Sequence, residues 1–396
     1  MITVFQIDNF KSLVDFKLEL SKFSCLIGLN GAGKSSVLHA LDFTSALMSG
    51  DITEWLNKRN WNIKDLDSKL VSRSNIKVGL VVELEGQIYV WMGAFNRTKL
   101  SITHEKIDHY NPKAETGKQH TTLFEAVKGH YVVLGKEAEP INFRYEGSVL
   151  SQLKSSALSP EIEMIKKEIC DIRSLDLLSP QSLRLRARKS DKGDIGMGGE
   201  QLSLFIHRLK DKQKNQLVEQ LQTYYPQVKD IHTKSLRSGW VQLELTEEYL
   251  NEKGNKEILT TEARHINDGM LRLLAILAQQ FSPLKTLLFD EIENGINPEV
   301  TEQIVDALVA SPKQIIVTTH SPMILNYMED EVAKKAVILI YKSDDGQTHA
   351  TRFFDVPSSA EKLECLAPGD AMLDLHLRDI AKEAEAQRQE TIKQEA

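Results

Sequence analysis

The sequence predicts an α/β fold in which a parallel sheet and an antiparallel β subdomain are combined with a mixed α/β insertion. Three observations carry that expectation. Residues 264–345 alternate helix and buried strand through "MLRLLAILAQQF", "TLLF", "PEVTEQIVDALV", "QIIVTTH" and "AVILIY", the pattern of parallel β-α units. At the other end, the buried strand "FSCLIGL" runs into a glycine-rich loop and then the helix "KSSVLHALDF". Between the two, "KVGLVVELEGQIYVWMG" and "KLSIT" alternate with period two and turn at Glu85-Gly86, which reads as antiparallel strands.

The remaining elements follow in order. "ITVFQI" and "FKLEL" open the chain as strands, and "VQLELTEEY" is another. The stretch from Glu105 to Ser235 is the least regular. It holds a helix in "LFIHRLKDKQKNQLVEQLQTYY" and an alternating segment in "SLRLRARK". "AKEAEAQRQETIKQEA" at the end reads as a frayed helix or a disordered tail. No repeats and no sustained heptads occur.

With 396 residues the chain is long enough for two or three lobes. A net charge of −7 argues against a coat of nucleic acid but leaves room for a local basic groove. The three cysteines, Cys25, Cys170 and Cys365, form no CxxC pair, so a zinc site or disulfide framework is not expected. The opening lacks the order of a signal peptide, and no apolar run approaches the ~18 residues that cross a membrane. A cytoplasmic protein without a membrane partner is expected.

"GLNGAGKS", Gly28 to Ser35, matches the phosphate-binding pattern G-x-x-x-x-G-K-[ST] and has the strand-loop-helix context the pattern needs. Asn30, Gly31, Ala32, Gly33, Lys34, Ser35 and Ser36 form the expected ATP-binding set. Backbone amides close around the phosphates, Lys34 reaches the β/γ-phosphates, and Ser35 offers a hydroxyl to Mg²⁺. "TLLFDEIENGINP" is a buried strand ending in two carboxylates. Strand alternation would point them to different sides, Asp290 toward the metal and Glu291 toward an attacking water. "QIIVTTHSP" ends another buried strand at His320, where ligands of open α/β sheets bind. A γ-phosphate contact is its expected role, which makes Glu291 and His320 the catalytic pair.

Together these residues resemble the ABC-type ATPases, and more narrowly the branch that contains RecF, the SMC proteins and the OLD-type nucleases. The opening "FQIDNFKSLVDFKLEL" and Asn30 within "GLNGAGKS" are similar to that branch. "DEIENGINP" resembles the "DEPENGLHP" of stand-alone bacterial ATPases, and "THSP" matches their histidine loop. Residues 1–43 and 264–323 carry the likeness most specifically; "LLSPQSLRL" and "GGEQLSLFIHRL" add to it weakly.

The resemblance implies an ABC-type P-loop NTPase head with an insertion between the Walker A and signature motifs. On this reading residues 1–104 are the N-terminal part of the head and 105–235 the insertion. Residues 236–345 are the C-terminal part of the head, and 346–396 an extension and tail. It further implies ATP and Mg²⁺ as cofactors and a homodimer in which one subunit's signature loop caps the other's ATP. Two segments compete for the signature. "GMGGEQL" superficially resembles the LSGGQ of transporters, but Gln201 lies 89 residues before Asp290. "INDGMLRLL" places Gly269 only 21 residues before Asp290, room for one helix and a turn. Asn267, Asp268 and Gly269 are therefore the signature residues, with Asn267 standing where the family usually has Ser. The D-loop is Asn294, Gly295 and Asn297, and the metal ligands are Ser35 and Asp290. No glutamine loop stands out beyond Gln87.

Arg184, Arg186 and Arg188 would share one face of a strand in "SLRLRARK". An exposed strand face is the plainer reading, and a contact with DNA or a partner the sharper one. Leu202, Phe205, Ile206 and Leu209 read as core or interface packing. The resemblance implies an ATPase switch that controls a separately encoded effector such as a nuclease, or DNA, in antiphage defence or genome maintenance. An OLD-like nuclease is the alternative, but the 76 residues after His320 hold no D-x-D following a buried strand. A transporter subunit fits less well, because 234 residues separate Lys34 from Asp268. Long mechanical arms would need heptads that the insertion lacks.

Overall fold

The computed structural model describes residues 1–114, 119–175, 179–189, 194–294 and 297–395. The chain divides into two compact units, Met1–Arg173 with Glu329–Ala396, and Ser174–Met328.

The first unit begins with β1 (Ile2–Asp8), β2 (Phe16–Glu19) and β3 (Phe23–Ile27), the last buried throughout. Helices α1 (Lys34–Ser49) and α2 (Ile52–Lys58) follow. Then come β4 (Asn75–Leu84), β5 (Gln87–Asn96), β6 (Ser101–Tyr110), β7 (His120–Val127), β8 (His130–Val133) and β9 (Glu139–Pro140). These strands form one antiparallel sheet in the order β2-β1-β4-β5-β6-β7-β8-β9. The expected turn is present, with Glu85 and Gly86 both at positive φ, the geometry whose twist matches the flanking strands. Phe5, Trp91 and Phe95 are fully buried, and Phe95 meets Phe43 of α1 edge to face at 5.4 Å. The antiparallel sheet runs on to Pro140, so β6 to β9 belong with the N-terminal strands rather than with an insertion beginning at residue 105. Period-two alternation is too broken there to be read from sequence.

Helix α3 (Pro160–Cys170) and β10 (Ile172–Leu175) lead into the second unit. That unit holds α4 (Pro180–Leu183), β11 (Ala187–Arg188), α5 (Leu202–Arg208) and α6 (Asp211–Tyr224). Strands β12 (Val228–Ser235), β13 (Trp240–Leu250) and β14 (Lys256–Glu262) complete an antiparallel sheet with β11. The single long helix expected from Leu204 to Tyr225 is two helices. Leu209 and Lys210 are extended, because Leu209 turns into the core while Lys210 starts the next helix. Nor is "SLRLRARK" a strand. Ser182 and Leu183 end α4, and only Ala187 and Arg188 pair with β13.

From α7 (Asp268–Ala278) the second unit follows the expected alternation: β15 (Thr286–Phe289), α8 (Pro298–Val309), β16 (Gln314–Thr318) and α9 (Pro322–Asn326). β15 and β16 are parallel and in register, Leu287 beside Ile315 and Phe289 beside Val317. Both strands are buried on both faces, as parallel strands covered by helices must be.

The chain then returns to the first unit through α10 (Asp330–Ala336), β17 (Val337–Lys342) and β18 (Thr348–Arg352). β17 lies parallel to β3, Ile338 opposite Leu26, and β18 pairs antiparallel with β17. Helices α11 (Pro357–Leu363), α12 (Pro368–Asp374) and α13 (Leu377–Glu395) finish the chain. Of the two readings of the C-terminal segment, the helix is the one adopted, anchored by the buried side chains of Ile380 and Ala384. Among the described residues no helix is long and apolar enough to cross a membrane.

Candidate functional site

The phosphate loop lies between β3 and α1. Gly28 (φ 148°) and Gly33 (φ 114°) are left-handed, and close approach reinforces the need for glycine at both. A Cβ on Gly28 would sit 2.1 Å from Ile340 O, and one on Gly33 would sit 2.5 Å from Thr348 Oγ1. Thr348 Oγ1 donates to Ala32 O at 2.9 Å and lies 2.8 Å from Ser12 Oγ. Its backbone amide donates to Ser12 O. The loop is thus clamped from β18 by one buried hydroxyl.

Asn30 and Gly31 are exposed, while Ser35 and Ser36 are half-buried. Lys34 is buried, its Nζ donating to Gly28 O at 2.8 Å and to Leu29 O at 3.3 Å. α1 begins with no side-chain cap and no acidic residue in its first turn. Its leading amides and dipole therefore suit an anion, which is the fit a triphosphate needs. A cavity of about 590 Å³ adjoins the loop, lined in part by Asn30, Gly31, Tyr341, Lys342 and, from α13, Arg378 and Glu385.

In the second unit the two carboxylates follow β15 directly. Asp290 and Glu291 lie beyond the strand's last residue, and Glu291 is left-handed at φ 46°. Strand alternation therefore does not set their directions; a tight turn does. Thr318, the last residue of β16, organises that turn. Its hydroxyl donates to Asp290 Oδ1 at 2.5 Å and accepts from Glu291 N at 2.8 Å. Asn294 Nδ2 donates to Glu291 Oε2 at 3.3 Å. His320 is half-exposed. Its backbone amide donates to Glu293 Oε1 at 2.9 Å, and its Nδ1 lies 3.3 Å from the same oxygen. Gly295 lies outside the described residues. Asn297 occupies the N-cap position of α8 without a side-chain capping bond, and Pro298 is at the first helical position.

The expected signature segment is the N-terminus of α7. Asn267 is its N-cap, Oδ1 accepting from Met270 N at 2.8 Å, a role that Asn fills as well as Ser. Arg184 Nη2 donates to Ile266 O at 2.8 Å and to Asp268 Oδ1 at 2.5 Å. Gly269 packs tightly against α8, where a Cβ would lie 3.3 Å from Val300 Cγ1. Arg272, buried on the same helix, donates through Nη1 to Asn294 O. Helix α7 is thus bonded to the turn that follows the carboxylates.

The three arginines do not form a free basic face. Arg184 braces the start of α7, Arg186 donates to Glu262 Oε1 at 2.8 Å, and the Arg188 guanidinium stacks over Trp240 at 4.8 Å. Segment "GMGGEQL" leads into α5, with Glu200 Oε2 accepting from Gly198 N. Of the apolar stripe, Leu202, Phe205, Ile206 and Leu209 are all buried. Gln87 is exposed in its hairpin, bonded to His109.

Thr318, Thr348 and Glu293 are the residues bonded to the candidate site that motif reading passed over. Thr318 lies two places before His320 and could have been marked as a strand-end hydroxyl. Thr348 carries no local signal, since its partner Ala32 is 316 residues away.

Residues 142–326 match the sequence model of a family described as "AAA domain, putative AbiEii toxin, Type IV TA system". No curated protein sequence matches the chain. Among solved structures, the chain is similar to an SMC head bound to the C-terminal winged-helix domain of ScpA. Identity is 15% with a TM-score of 0.51, covering 88% of this chain and 96% of that one. It is also similar to the SMC head domain from Thermotoga maritima, at 10% identity and a TM-score of 0.46, covering 89% and 98%. The likeness to the ScpA-bound head establishes the fold: an ABC-type P-loop head of the SMC kind, combining antiparallel and parallel sheets.

Proposed function

We propose that this chain, whose fold is that of the ABC-type ATPase heads of the RecF/SMC branch, hydrolyses ATP and uses the nucleotide to close and reopen a homodimer. The observation that carries the reading is the phosphate loop, with an uncapped, acid-free helix start behind left-handed glycines and a lysine folded onto the loop's own carbonyls. Lys34 would exchange those carbonyls for the β/γ-phosphates, and the amides from Gly31 to Ser36 would surround them. Ser35 and Asp290 are the residues that would hold Mg²⁺. When bound, that ion neutralises charge on the phosphates. Glu291 is the group that would draw a proton from water, steadied by Asn294 and by its amide's bond to Thr318. His320 would contact the γ-phosphate.

Asn267, Asp268 and Gly269 would cap the nucleotide of the second subunit. Asn294, Gly295 and Asn297 would serve as the D-loop at that dimer's seam. The switch would act on a separately encoded effector, a nuclease among the candidates, or on DNA. The setting we propose is antiphage defence or genome maintenance, and the matched family's description, "putative AbiEii toxin, Type IV TA system", favours the former. A cytosolic location accords with this reading.

The test is a pair of variants. Lys34→Ala should lose ATP binding. Glu291→Gln should bind ATP, turn it over at least ~100-fold more slowly and accumulate as a dimer on sizing chromatography. Normal turnover by Glu291→Gln would remove Glu291 from the mechanism, and normal binding by Lys34→Ala would sink the phosphate-loop assignment.

A further inference from the structure

The second unit presents a strand edge with large apolar side chains in solvent. β14 hydrogen-bonds to β13 along one side, and among the described residues no strand pairs with its other side. Leu250 and Ile258 are 70% and 72% exposed, Leu259 54% and Tyr249 45%. An open edge of this length with unprotected apolar residues is a template for another strand.

The two faces of the hairpin say what is missing. Val241, Leu243 and Leu245 alternate along β13 on the face covered by α5, and all three are buried. The same face continues outward to Tyr249 and, across the ladder, to Leu259 opposite Glu247. The helix cover ends before it reaches them. Tyr249 and Leu259 are thus left in solvent beyond the core, on a face they share with Glu247 and Glu257.

We infer that this edge pairs antiparallel with β14 of a second copy of the chain, about a two-fold axis at Leu259. The sequence "KEILTTE" fits that arrangement. With Leu259 opposite its own counterpart, Lys256 of each strand faces Glu262 of the other, and Ile258 faces Thr260. Opposite charges then meet at both ends of the ladder, and no like charges face each other. Lys256 is already bonded to Glu248, and Glu262 to Arg186 and Arg264, so each cross-strand pair joins an existing ionic network. On the other face, Leu259 of one copy meets Leu259 of the other across the axis, and Glu257 faces Thr261. A shift of one residue would separate the charges and the leucines alike, so the register is specified.

This contact needs no nucleotide and lies on different residues from the ATP-dependent dimer proposed above. It would link such dimers into larger assemblies, and it is tested apart from them in the Lys34→Ala background. Leu259→Cys, with exposed Cys365 changed to Ser, brings two thiols opposite each other within disulfide reach. Mild oxidation without nucleotide should give at least about ten times more covalent dimer than Lys253→Cys at the hairpin turn, which reports random collision. Leu259→Lys places two ammonium groups at the axis and should leave a monomer under the same conditions. The inference is overturned if the unmodified chain is already monomeric without nucleotide at micromolar concentration. Equal cross-linking at 253 and 259, or a dimer unchanged by Leu259→Lys, would overturn it too. In the latter two cases the exposed edge would be left to a strand from a different protein.

Discussion

Thr318 donates its hydroxyl proton to Asp290 and, with the same oxygen, receives the amide of Glu291. One strand-end hydroxyl therefore holds the Asp290 carboxylate and the backbone of Glu291, and it holds them from the neighbouring strand β16. The left-handed φ of Glu291 is maintained by this bond and by the bond of Ile292 N to Thr318 O.

Thr318→Val keeps the β-branched shape and deletes the hydroxyl. The amide of Glu291 and the Asp290 carboxylate then lose their shared partner, at a cost of about 1–3 kcal/mol. ATP turnover is expected to fall at least tenfold, with ATP affinity changed by roughly threefold or less. Thr318→Ser should recover most of the rate. A Thr318→Val enzyme with normal kcat would show that the turn is held by other contacts.

Thr348 is the clamp on the phosphate loop, fully buried, with its hydroxyl on Ala32 O. Thr348→Val should loosen the loop and weaken ATP binding several-fold, in line with a lost hydrogen bond of about 1 kcal/mol. Isothermal titration with a slowly hydrolysed ATP analogue reads this directly. Unaltered affinity would mean that the close packing around Gly28 and Gly33 suffices to hold the loop.

Arg184 ties Ile266 O and Asp268 to the segment before β11. Arg184→Ala should leave ATP binding to the free subunit intact but reduce dimer accumulation in the Glu291→Gln background by about tenfold, because the α7 N-terminus loses its brace. Faster amide exchange at Met270 should accompany it. Since Arg184, Arg186 and Arg188 are all engaged within the unit, removing them is not expected to change the salt dependence of DNA binding. A tenfold loss of DNA affinity in the triple variant would restore the basic-face reading.

Glu105 gives the molecule a specific pH response. It is fully buried, and burial pushes its pKa up to about 7, against the bonds from Ser148, Trp91 and Val149 N that pull it down. In the unfolded chain the group ionises near 4.5. Below that value both states carry the proton. Between about 4.5 and 7 the folded chain keeps a proton that the unfolded chain has released, so stability falls as pH rises through this window and levels off above it. Glu105→Gln cannot ionise and should remove this component. Its melting temperature relative to the parent should rise from pH 5 to pH 8, and parallel melting curves across that range would contradict the assignment.

The phosphate loop, the buried strands at Thr286–Phe289 and Gln314–Thr318 and the opening of α7 were legible because each rests on local chemistry. Glycines before a helix, apolar runs of strand length and an Asn two places before a glycine declare themselves within ten residues. The extension of the antiparallel sheet to Pro140 was not legible, because residues such as Glu105 and Asp108 interrupt the alternation. They are held inside by partners on neighbouring strands or distant segments, Trp91 and Ser148 for Glu105 and Thr122 for Asp108, the last joined by Lys106 of the same strand.

The alternating arginines show the same limit from the other side. Period two in "SLRLRARK" suggested a strand, but Arg184 bonds to residues more than 80 positions away, and that contact takes precedence over local pattern. The sequence by itself determined the class of fold and pointed to the residues proposed to bind a nucleotide, since both depend on spacing and backbone freedom. Only the tertiary structure decided that Thr318 holds the turn carrying Asp290 and Glu291, that Thr348 clamps the loop and that, among the described residues, β14 is left with an open edge. The first two are pairings between distant segments, and their energy comes from groups brought out of water together, which no local window of the chain contains; the third is a side of a strand that receives no partner among the described residues.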